Sequence, residues 1–237
     1  MQSNTLRAIA GISVGLALVL CAARAADAQD LKTAYPSMAP LEQYLMESNA
    51  EIALARSAAP KSIAPNAEVL VLARNGYETA VKGTNGFVCI VERAWTVGLD
   101  EPDFWNPKVR APMCLNAASA RSYLPLTIRK TELVLAGRSR AQVVEGIQAG
   151  LEKKELPALE PGAMCYMLSK QGYLNDRDGH WHPHVMFYVP LTEPSSLGAN
   201  TEDSPIFAAR DVEDRLTVVF IPVAQWSDGT SDSAHQH

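Results

Sequence analysis

Two Asn-Gly pairs constrain this chain more than anything else in it. Asn75-Gly76 and Asn85-Gly86 each separate runs of β-favouring residues, Val69-Leu70-Val71-Leu72, Tyr77 to Val81 and Phe87 to Val91. Asn-Gly supplies the positive φ that two-residue hairpin turns require. The spacing therefore predicts a three-stranded antiparallel meander over 67–95.

Helical signals flank that region. Ser48-Asn49-Ala50-Glu51 has capping-box spacing, in which the Ser hydroxyl and the Glu carboxylate each satisfy a backbone amide of the first turn, and Pro60 closes the segment. Asn116 is placed to cap a helix running to Leu124, where Pro125 interrupts it; the helix resumes from Leu126 and stops at Gly137. Ser139-Arg140-Ala141-Gln142 is a second capping box, opening a helix with Val143, Val144, Ile147 and Leu151 on one side. A C-terminal group of strands follows at 163–168, 185–189 and 216–221, with a polar loop over 192–213. With no internal repeat and no clean linker, the economical reading is one α+β domain over 29–226, an antiparallel sheet packed against helices. From 227 to 237 the chain is Ser/Asp/Gly-rich without apolar period, which predicts a disordered tail.

The first residues predict an address. Arg7 precedes a charge-free run from Ala8 to Ala23, and Ala26-Asp27-Ala28 has the small-x-small form of a cleavage site. The run is short for a bilayer span and suits a signal peptide over 1–28. Leu20 before Cys21 disfavours lipidation, which wants a small residue there. Cleavage after Ala28 removes 28 of 237 residues, leaving 209, and with the loss of Arg7, Arg24 and Asp27 the formal charge moves from −5 to −6. No later segment is long and apolar enough to span a membrane, and an acidic chain makes a poor nucleic-acid binder. Export to periplasm or medium follows, where disulfides persist. Cys89, Cys114 and Cys165 remain, and three pairings are possible; closeness in sequence favours Cys89–Cys114. In a chain-entropy view such a link is worth about 3 kcal/mol. Cys165, between Met164 and Tyr166, reads as a buried thiol.

The chain has five histidines, and three of them fall in His180-Trp181-His182-Pro183-His184. Alternate residues share a face of an extended strand, and Pro183 biases His182 toward extended geometry. Imidazole suits Zn and Cu, so His180, His182 and His184 are candidate ligands, with Asp176 and Asp178 of the preceding turn as helpers. Reach limits the set: His180 and His184 lie about 13 Å apart in a straight strand, so one neighbouring pair plus an outside ligand is easier than all three. The turn is not a calcium loop, because Leu174 and Val185 fall where oxygen ligands are needed. Two other readings stay open: structural histidines leading into a strand, and a histidine base in a hydrolase. No His-Glu-x-x-His, Walker loop, dinucleotide fingerprint or Gly-x-Ser-x-Gly elbow occurs. Glu92-Arg93 and Arg129-Lys130-Thr131-Glu132 read as solvated charge clusters. Phe104-Trp105 and Trp181 read as groove lining or core cover.

Asn85-Gly86-Phe87-Val88-Cys89, Phe104-Trp105-Asn106-Pro107, Arg110-Ala111-Pro112-Met113-Cys114 and Gly179-His180-Trp181-His182-Pro183-His184 together resemble a family of exported bacterial proteins with no assigned activity. The resemblance implies export and carries over no mechanism. The expectations are thus an exported protein binding Zn or Cu through the histidine segment, or a non-catalytic envelope domain whose partner is a small molecule or another envelope protein.

Overall fold

The structure, a computed structural model, describes residues 35–98 and 102–232; the signal expected over 1–28, and residues 233–237 with His235 and His237, lie outside them. Eight strands form one mixed sheet beside helices, so the α+β expectation holds. The strands are β1 (Glu68–Ala73), β2 (Gly76–Val81), β3 (Val88–Glu92), β4 (Ala111–Leu115), β5 (Met164–Met167), β6 (His184–Pro190), β7 (Phe207–Asp211) and β8 (Leu216–Pro222), in the order β2-β1-β3-β4-β5-β6-β8-β7. Every neighbouring pair is antiparallel except β1–β3.

That exception corrects the predicted meander. Asn75-Gly76 does make the β1–β2 hairpin, with Ala73 opposite Gly76. Asn85-Gly86 does not return β3 along β2. Its Asn side chain donates to the Ile63 carbonyl and accepts from the Phe87 amide, fixing a turn against the segment before β1. The chain then crosses the end of β1, where Gly83 lies so close that a Cβ would meet the Glu68 nitrogen at 2.2 Å. β3 consequently pairs with the far side of β1, in parallel, through Glu68–Val88 and Val69–Cys89. A good turn dipeptide set the bend, and the glycine before it set the side.

Two strands arise where none was expected. β4 contains Pro112, a residue normally kept from sheet interiors because it lacks an N–H. It pairs with Val91 of β3 on one side and is accommodated because β5, on the other, reaches only Cys114 and Leu115, leaving Pro112 beside Gly172 there. β7 lies in the stretch read as a polar loop and forms a hairpin with β8.

The helices α1 (Ser48–Arg56), α2 (Ala94–Val97), α3 (Ala117–Ser122), α4 (Leu124–Leu135) and α5 (Arg140–Glu152) follow their local signals with one exception. Asn116 caps α3, Pro125 opens α4 in its first turn, and Ser139 and Gln142 form both bonds of the capping box on α5. In α1 the cap is Glu47, whose carboxylate accepts from the Ala50 amide, and Ser48 is the first helical residue. Glu51 is thereby freed from capping and points into the protein.

Period-two alternation divides the core. Leu70, Leu72, Ile90, Met113, Leu115, Cys165, Met186, Tyr188 and Leu216 face α4 and α5, meeting Leu126, Val134, Val143 and Ile147. Val69, Cys89, Val91 and Cys114 face the other way, against Leu54 and Ala55 of α1. Cys89 and Cys114 are register partners on β3 and β4 and are joined as a disulfide; Cys165 is a buried free thiol on the opposite face. Overlapping the start of the stretch expected as a tail, residues 225–232 form a small hairpin closed by Gln225–Ser231 and by Trp226 N–H on the Thr230 carbonyl. Among the described residues no helix is long and apolar enough to cross a membrane.

The disulfide closes a sequence separation of 25. Replacing both cysteines by serine is expected to cost roughly 3–4 kcal/mol in urea denaturation, with the same loss when the native protein is unfolded in reductant. An unchanged midpoint in reductant would show that the link contributes nothing.

Candidate ligand-binding site

α4 and α5 cover only part of their sheet face. Toward β6, β8 and β7 the same alternation continues without a helix over it, and an apolar cavity of about 400 Å³ occupies the space. The register explains its lining. Glu92 pairs with Ala111, Met167 with His184, Met186 with Phe220, and Phe207 with Phe220, so these side chains fall on one continuous face. Tyr123, at the junction of α3 and α4, closes the inner end, while Leu174, Asn175, Arg177, Asp178 and Trp181 form the loop side. Trp181 is the centre of an aromatic wall, its ring 4.7 Å from His184, 5.7 Å from Phe220 and 5.9 Å from Phe207. At the inner end Tyr123 and Tyr188 stack at 3.9 Å, and the Tyr188 hydroxyl lies 3.3 Å from Cys165 Sγ.

The inner end carries an ionisable group. Glu92, 2% exposed, accepts from Thr127 Oγ1 at 3.0 Å. Burial pushes its carboxyl up to about 8, although the nearby Lys130 ammonium and the Thr127 hydroxyl favour the charged form. At neutral pH it is therefore mostly the uncharged acid. Lys130, 1% exposed, is bonded to Asp214, which sits in the β7–β8 turn. Burial also raises the Asp214 carboxyl, against the pull of the Lys130 ammonium beside it. The pair ties the hairpin forming the cavity wall to α4.

The solvated reading is thus corrected for Glu92-Arg93 and for Lys130 and Thr131, while Arg129 and Glu132 are exposed as expected and pair at 3.2 Å. Arg93 is fully buried, its guanidinium donating to the Tyr44 carbonyl at 2.8 Å, to Glu51 Oε1 at 2.9 Å and to the Val91 carbonyl. A pattern signal existed. Glu92 continues the alternation of Val88 and Ile90, and Lys130 lies four residues from both Leu126 and Val134 on the inward stripe of α4.

The predicted metal residues fall into separate surroundings. His184 is buried at the cavity, its Nδ1 2.6 Å from the His182 carbonyl; burial lowers its pKa to about 4, so it stays neutral. His182 Nδ1 meets Asp232 Oδ2 at 2.6 Å, and His180 packs near the Trp226 ring. Asp176 accepts from the Tyr35 and Tyr173 hydroxyls, Asn106 and Lys108, bonds that hold its carboxyl well below the usual range. Asp178 pairs with Arg177 and Asn175. Among the described residues no three His, Cys, Asp or Glu side chains converge to hold a metal ion. Of the expected set only His184 and Asp178 line the cavity. Glu92, Tyr123 and the Phe207 and Phe220 hairpin were absent from it.

Compared with models of protein families, with curated proteins and with solved structures, the chain finds no match.

Folded, Glu92 keeps its proton to about 8; unfolded, it loses it near its ordinary 4.5. The folded state then binds more protons in between, and this group's contribution to stability falls as pH rises through that window. Glu92→Gln retains an acceptor for Thr127 and removes the effect. It is expected to be more stable than the native protein by roughly 2–4 kcal/mol at pH 7.5, with less than half that gain at pH 5. Urea denaturation at the two pH values checks this; an equal gap at both would show that Glu92 does not hold its proton.

Proposed function

We propose that this is an exported binding protein that holds a small, largely apolar molecule between the β6–β8–β7 end of its sheet and the 174–181 loop. The observation that carries the reading is the apolar cavity of about 400 Å³, walled by Trp181, Phe207 and Phe220 and ending on buried Glu92. Ligand sites characteristically combine such a volume and lining with a few placed polar groups. Export is supported by the signal-like pattern of Arg7, Ala8 to Ala23 and Ala26-Asp27-Ala28, and by a disulfide suited to an oxidising compartment. In this reading His184 is a neutral wall residue and His182, oriented by Asp232, steadies the segment that carries Trp181. It corresponds to the envelope-domain expectation with structural histidines. No observation favours Zn or Cu at His180, His182 and His184 over it.

The uncharged fluorophore N-phenyl-1-naphthylamine is expected to bind saturably at one site, with a blue-shifted emission. Ala209 lines the cavity from an exposed position on edge strand β7, so a larger side chain fills the space without overpacking the core. Ala209→Trp should weaken binding at least about tenfold while changing stability by no more than about 0.5 kcal/mol. Absence of saturable binding, or binding indifferent to Ala209→Trp, would remove the cavity as the site.

A further inference from the structure

The charges around the cavity restrict what it accepts. Its walls are mostly carbon and aromatic rings, and most of the polar groups along it are already engaged. The His184 Nδ1 is taken by the His182 carbonyl and the Tyr188 hydroxyl by Cys165. At the outer rim Asp178 is taken by Arg177 and Asn175. Glu92 stands at the closed end, with one oxygen receiving the Thr127 hydroxyl. Beside it the Thr96 hydroxyl donates to the Arg93 carbonyl and also interacts with the Glu92 carboxyl, a contact that partly offsets the effect of burial. A cationic ligand brought here would approach the buried Lys130 ammonium. An anionic one would meet the Glu92 carboxyl, with Asp214 behind it and Lys130 already bonded. Desolvating either kind of charge without a partner is strongly unfavourable.

We infer that the cavity selects an uncharged apolar ligand bearing one hydrogen-bond acceptor, a carbonyl, ether or hydroxyl oxygen, and that Glu92 donates its carboxyl proton to that acceptor. This rests on the cavity being the binding site and adds the class of molecule it takes. Two features carry it: the carboxyl is buried among the residues lining the cavity, and one of its oxygens is already occupied as an acceptor. A carboxylic acid kept neutral in an apolar site is a strong, directed donor. A buried donor left without an acceptor costs free energy, so the site discriminates against plain hydrocarbons as well as ions.

The test uses three near-isosteric probes on the mature protein: 2-acetylnaphthalene, 2-ethylnaphthalene and protonated 2-naphthylmethylamine. Affinities are read by titration calorimetry, and the bound ketone by its carbonyl stretching frequency. The ketone should bind about tenfold tighter than the hydrocarbon, with its carbonyl stretch shifted down, and the amine should bind weakest. Glu92→Gln, which keeps an N–H donor, should preserve the preference; Glu92→Leu should abolish it and the frequency shift together. If Glu92→Leu does not fold, the native protein and Glu92→Gln still decide the matter through the ketone-to-hydrocarbon ratio and the frequency. Equal affinity for ketone and hydrocarbon, or an unshifted carbonyl, overturns the donor role while leaving N-phenyl-1-naphthylamine binding intact. Tightest binding of the amine overturns it by showing a carboxylate in the site. Failure of all three probes together with the fluorophore would sink the binding reading itself.

Discussion

Two consecutive ionisable residues, Glu92 and Arg93, stand at the end of β3 with almost no access to water, and most of the architecture is arranged around satisfying them. They reach opposite layers. Arg93 gathers the chain before α1, α1 itself and the β3 backbone through Tyr44, Glu51 and Val91. Glu92 engages α4 through Thr127, one turn before Lys130. An unpartnered charge in either place would be strongly destabilising, whereas a partnered one is near neutral in free energy. Their value lies in exclusion: other packings of α1 and α4 on the sheet would leave one of them unsatisfied. The Glu51 carboxylate also accepts from the Leu72 amide, so the same node fixes β1.

The second node, Lys130 with Asp214, does for the far end of the sheet what Arg93 does for the near end. Asp214 belongs to a turn that would otherwise project into solvent, and its own amide is held by Asp211 Oδ1 at 2.9 Å. Bonding it to α4 stops the β7–β8 hairpin from folding down onto the open sheet face. The hairpin is held along its length by the β8–β6 ladder and at its turn by α4, and the cavity lies in front of it. Tyr123, stacked on Tyr188, keeps the inner end from collapsing, since two aromatic rings are too stiff to spread into the gap.

Much of the frame was readable from residue order. The capping box at Ser139, the Asn-Gly hairpin at 75–76, the break at Pro125 and the closeness of Cys89 to Cys114 all depend on neighbours in sequence, and local chemistry specifies them. What was not readable depended on distant partners. Asn85-Gly86 bends the chain correctly, but the choice between the two sides of β1 is made by Ile63 and by the space at Gly83. β4 hid behind Pro112, whose tolerance depends on where β5 stops. The histidine segment drew attention because its residues are unusual together, yet their neighbours in space are Asp232, Trp226 and one another's backbone. The candidate site was disguised in the opposite way: Glu92 and Lys130 sit in ordinary charged clusters, and only their place on an inward stripe distinguishes them.

The position of the cavity at the C-terminal end of the sheet has a consequence for how such a protein diversifies. β7 is paired on one side only, and its residues 207 and 209 line the cavity. Substitutions there reshape the pocket at little risk to the strands that carry the disulfide and Arg93. The shape of the cavity at this end is therefore written apart from the strands that carry the disulfide and Arg93, whereas Glu92 at its other end shares β3 with Cys89.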